Sequence, residues 1–89
     1  MTYKELLEKL NINRRKGENK EETVRLISMV SDETNREILT MRYIENKKWQ
    51  YVARDTYFSM KTVNRRGEKG LREIVDKLNC DADKEGENK

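Results

Sequence analysis

Apolar residues recur along this chain at three- and four-residue steps, with polar residues filling most positions between them. Tyr3, Leu6, Leu7 and Leu10 form a first stripe, with Thr2 placed to cap the helix and Ile12 near its end. The next segment, Asn13-Arg14-Arg15-Lys16-Gly17-Glu18, has no periodic apolar residue and contains a glycine, so it reads as a mobile basic connector. Asn19, with Glu22 three residues on, reads as the cap of a second helix that turns Val24, Ile27, Met29 and Val30 inward. Ser31 or Asp32 can cap a third, with Ile38, Met41, Tyr43 and Ile44 as its buried stripe. Asn46-Lys47-Lys48 breaks the pattern, which resumes as a short helix from about Trp49 to Thr56 that buries Val52 and Ala53. Ser59 then caps a last helix that Val63, Leu71, Ile74 and Leu78 carry from Met60 to about Leu78. Gly67 and Gly70 lie inside it, each costing about 1 kcal/mol relative to alanine.

These elements predict an all-α fold, a small bundle of about five helices with a C-terminal helix-turn-helix and a long last helix. Residues 1–18 are the N-terminal helix and basic connector, 19–80 the helix-turn-helix domain, and 81–89 a disordered tail without an apolar anchor.

Composition narrows the function more than the fold. A chain of 89 residues with 34% hydrophobic and 42% charged residues supports one small domain, too thin for a deep enzyme cleft. Proline is absent, which favours helix throughout. With no histidine and a single cysteine, Cys80, neither an internal disulfide nor a zinc site can be assembled, and no metal or other cofactor is expected. No nucleophile–base pair or phosphate-cradling loop has a recognisable spacing, so the chain reads as non-enzymatic. Charges interrupt the N-terminal region every few residues, which argues against a signal peptide or membrane span, and the lone cysteine suits a reducing cytoplasm. The net charge of +3 is mild but uneven. Residues 47–78 carry nine basic side chains against four acidic ones, the footprint of a nucleic-acid face.

That basic stretch coincides with a spacing of its own. If Ala53 is the small residue where two crossed helices touch, Phe58 and Val63 fall where apolar plugs should fill the angle between them. Tyr57 departs from the rule, standing where the left-handed turn residue is usually glycine. More widely, Ile38-Leu39, Arg42-Tyr43-Ile44, Lys47, Trp49, Ala53, Ser59, Thr62-Val63 and Gly70-Leu71 together resemble promoter-binding region four of bacterial sigma factors. Within that superfamily the small size, Trp49 and the extra N-terminal helix most resemble phage late transcription regulators of the ArpU/RinA type. The resemblance covers about residues 32–78 and implies a promoter-associated DNA-binding regulator acting beside RNA polymerase.

On a helix starting at Met60, residues Lys61, Thr62, Asn64, Arg65 and Arg66 are the candidates for base contacts, with the arginines suited to guanine and Asn64 to adenine. Lys47, Lys48, Gln50, Arg54, Ser59, Lys69 and Arg72 are the candidates for phosphate contacts. Trp49, Tyr43 and Tyr57 read as packing residues, Arg14-Arg15-Lys16 as a solvated linker and Cys80 as an incidental thiol. Double-stranded DNA is thus the leading partner, read by a homodimer on two half-sites. The alternatives are an adaptor that docks another protein through the first two helices, or a small DNA-packaging component.

Overall fold

The computed structural model describes the backbone of residues 1–87 and the side chains of residues 1–79. Five α-helices and no strand make up the described residues: α1 (Tyr3–Lys16), α2 (Lys20–Ile27), α3 (Glu33–Leu39), α4 (Trp49–Thr56) and α5 (Met60–Glu87). The fold is therefore all-α, as the periodicity predicts. None of these helices is long and apolar enough to cross a membrane.

Local chemistry sets most of the helix ends. The Glu5 amide donates to Thr2 Oγ1 at 3.1 Å and the Thr2 amide to Glu5 Oε1 at 2.8 Å, a reciprocal cap that starts α1. Of the two candidates for α3, Asp32 is the cap, accepting from the Asn35 amide at 3.0 Å.

Three sequence expectations need correction around α1 and α2. The segment read as a mobile connector is mostly helix, because α1 continues to Lys16. Arg14, Arg15 and Lys16 lie in its last turn, where cations oppose the negative end of the helix dipole. Arg14 Nη1 also donates to Asn46 Oδ1 at 3.0 Å, which ties this turn to the segment before α4. Asn19 is not a side-chain cap: its backbone is left-handed, at φ 56°, and its side-chain Nδ2 donates to Asn13 Oδ1 at 3.4 Å instead. Glu22, the other half of the expected capping box, is held by Lys9 at 2.8 Å. Val24 points outward at 48% exposure, while Thr23 takes the buried position beside Ile27.

The third helix changes pitch partway. Residues Thr40–Ile44 form a π-helical turn, in which the Glu45 amide donates to the Thr40 carbonyl five residues back at 3.0 Å. Leu39, absent from the expected stripe, is fully buried, whereas Met41 and Ile44 are only partly so.

Two apolar clusters result, with α3 contributing to each. Leu39 joins Leu6, Leu10, Ile27, Val30, Tyr43, Leu71, Ile74 and Val75 in the larger one. Ile38 joins Val52, Ala53 and Val63, with Met41, Trp49 and Phe58 at its edge. Gly67 and Gly70 explain how α5 comes so close to its neighbours. A β-carbon at Gly67 would lie 3.0 Å from the Trp49 ring, and one at Gly70 would lie 2.8 Å from Leu39 Cδ1. The helical backbone of α5 extends past Leu78 to Glu87, through Cys80 and most of the segment expected as a disordered tail, 81–89; the side chains from Cys80 onward lie outside the described residues.

Candidate nucleic-acid interface

The basic segment folds as two helices joined by a three-residue turn. α4 starts and ends where the sequence predicts, and it buries Val52 and Ala53. Its last carbonyls are closed by Tyr57, whose amide donates to the Ala53 and Arg54 carbonyls from φ 63° and ψ 22°, a left-handed conformation that costs a non-glycine residue roughly 1–2 kcal/mol. Tyr57 is not the packing residue expected of it: its side chain is 95% exposed. Phe58 turns back onto the smaller apolar cluster. Ser59 accepts from the Thr62 amide at 3.1 Å and caps α5 as the sequence predicts.

The inner side of α5 is Val63, Gly67, Gly70, Leu71 and Ile74, all buried. Rotation of about 100° per residue therefore sends Lys61, Arg65 and Lys69 to the far side, with Asn64 toward α1. All four are exposed, and the three cations form no ion pair among the described residues. Thr62 is half-buried, and its hydroxyl accepts from Ser59 Oγ at 3.0 Å.

The two adjacent arginines separate. Arg65 is exposed, but Arg66 lies 5.2 Å above the Phe58 ring and donates to Asn35 Oδ1 at 3.4 Å, so it joins the turn to α3. Arg72 is likewise engaged within the chain: its Nε donates to Glu68 at 2.9 Å and its guanidinium lies 4.7 Å from the Tyr3 ring. Glu68, which sequence reasoning left out, thus shares the exposed side of α5 with the cations, where its carboxylate holds Arg72 at 2.8 Å. Only its place one turn after Asn64 and Arg65 could have marked it.

At α4 the candidates divide in the same way. Lys48 and Gln50 are exposed beside the α4 N-terminus, which has no side-chain cap. Lys47 instead bridges Asp55 at 2.6 Å and Glu45 at 3.4 Å. The Asp55 hydrogen bond, followed by that of Glu45, raises the Lys47 pKa above its ordinary value, and the same lysine lowers that of Asp55. Arg54 lies 5.0 Å from the Tyr51 ring, with most of its side chain in solvent.

Between α1 and α5, a cleft of about 290 Å³ is lined by residues including Tyr3, Arg42, Trp49, Asn64 and Glu68. The Arg42 guanidinium lies 5.1 Å from the Trp49 ring and donates to the Lys47 carbonyl at 3.1 Å. Burial, and then repulsion from Arg14, lower its pKa. Trp49 is thereby held between Arg42 and Gly67, which fixes α4 against α5.

Compared with known proteins, the chain matches no family model, no curated protein and no solved structure.

Proposed function

We propose that the chain is a sequence-specific double-stranded DNA-binding protein, in which α4, the Tyr57–Ser59 turn and α5 act as a helix-turn-helix with α5 in the major groove. The observation that carries this reading is the sorting of α5: Lys61, Asn64, Arg65 and Lys69 are exposed, opposite or beside a buried row of Val63, Gly67 and Leu71. Arg65 suits the paired acceptors of guanine and Asn64 those of adenine, while Lys61 and Lys69 suit phosphates. Lys48 and Gln50 meet the backbone where the first helix of such a motif crosses it, and the Ser59-capped start of α5 faces a phosphate. Thr62, Arg66, Arg72 and Lys47 hold this surface in shape through their contacts within the chain.

Regulation of transcription beside RNA polymerase, and a phage origin, rest on the likeness to sigma region four. A homodimer on two half-sites is favoured because one short reading surface offers few contacts. Selection of duplexes from a randomised pool tests the reading. The intact chain should enrich one motif, and Arg65→Ala should relax the preference at one base pair by about 1–3 kcal/mol. A pool that returns no motif, or a motif indifferent to Arg65, contradicts it.

A further inference from the structure

Tyr57 is a poor choice for the fold that contains it. Its backbone is left-handed, a conformation in which a β-carbon is crowded, and its amide closes α4 through the Ala53 and Arg54 carbonyls as a glycine amide would. The side chain returns nothing to the interior, since it is 95% exposed. The other exposed aromatic residue of this region, Tyr51, has Arg54 against its ring; Tyr57 is left to the solvent. Strain without a packing return points to a contact made outside the chain.

The position indicates what that contact is. Tyr57 lies two residues before Ser59, the cap at which α5 begins, and the exposed Lys61 follows two residues after that cap. A chain that delivers a helix N-terminus into a major groove must pass the sugar–phosphate rim just before that helix starts. A phenol suits this rim, with a neutral hydroxyl to donate to a phosphate oxygen and a flat ring to lie against deoxyribose. We propose that Tyr57 is a DNA-backbone clamp that sets how deeply α5 enters the groove. The proposal rests on the DNA-binding reading and adds to it a positioning residue that reads no base.

Stability and binding should then respond to this residue with opposite signs. Thermal unfolding of the intact chain, paired with fluorescence anisotropy on a selected duplex and its scrambled counterpart, measures both. Tyr57→Gly should raise Tm while weakening binding to each duplex by about tenfold, the loss expected from one hydrogen bond to a charged group. Tyr57→Asn, which also tolerates the left-handed turn, should behave alike and guards against a glycine-specific loosening. Tyr57→Phe keeps the ring and the strain, so its Tm should match the parent while its affinity shows most of the loss. Parental affinity in Tyr57→Gly and Tyr57→Asn overturns the clamp and leaves the DNA-binding reading standing, and parental affinity in Tyr57→Phe overturns the hydroxyl–phosphate bond. If the parent chain binds neither duplex, the DNA-binding reading fails and the clamp fails with it.

Discussion

Arg65 and Arg66 are identical in chemistry and adjacent in sequence, yet their surroundings assign them different work. Arg66→Ala loses the stacking on Phe58 and the bond to Asn35, so urea unfolding should show a loss of about 1 kcal/mol with little change in affinity for DNA. Arg65→Ala should do the reverse, and equal effects from the two substitutions would contradict the separation. Gly70 carries a second prediction at this scale. On an open helix surface Gly→Ala stabilises by about 1 kcal/mol, but here the new methyl meets fully buried Leu39. Denaturant melts of Gly70→Ala should therefore show a loss of about 1–3 kcal/mol from overpacking, and a gain would mean that α5 stands further from α3.

At the scale of elements, legibility followed the periodicity. The limits of α4, the Ser59 cap and the buried Val52, Ala53 and Val63 were readable because apolar spacing and capping chemistry agree there. The end of α1 was not, since Asn13–Lys16 offers no apolar signal and is held by its dipole, Arg14 and the left-handed Gly17. The π turn at Thr40–Ile44 was equally hidden, because it depends on how Tyr43 and Leu39 reach one core from consecutive turns. Of the candidate interface, the exposed Lys61 and Arg65 could be read from helix phase, and the i,i+4 spacing of Glu68 and Arg72 was open to the same reading, whereas the engagement of Arg66 by Asn35 and Phe58, of Arg72 by Tyr3 and of Lys47 by Asp55 depends on packing between elements. The same packing makes α1 indispensable. Leu6 and Leu10 are fully buried with Leu71, Ile74 and Val75, so a chain beginning at residue 19 should lose its cooperative unfolding transition by circular dichroism. A sharp transition at the parental midpoint would show that α1 contributes little.

Across the whole molecule, charge sets how stability responds to pH and underlies the proposed binding. Hydrogen bonds from Lys9 to Glu22, from Lys47 to Asp55 and from Ser31 to Glu73 each hold a carboxyl below its ordinary pKa. The unfolded chain therefore takes up protons first, and the stability from these groups is present above about pH 4–5 and lost as pH falls below it. All three are close to solvent, so the loss should be gradual in acid melts and smaller at high salt; a Tm that rises on acidification would contradict it. The larger question is whether the exposed cations of α5 read a base sequence. Anisotropy titration of the intact chain against a selected duplex and its scrambled counterpart, repeated across a salt series, answers it most directly. The account predicts affinity for both that falls steeply as salt rises, with a preference for the selected duplex that Arg65→Ala removes. Equal affinity for the two duplexes, or binding indifferent to salt, would contradict it.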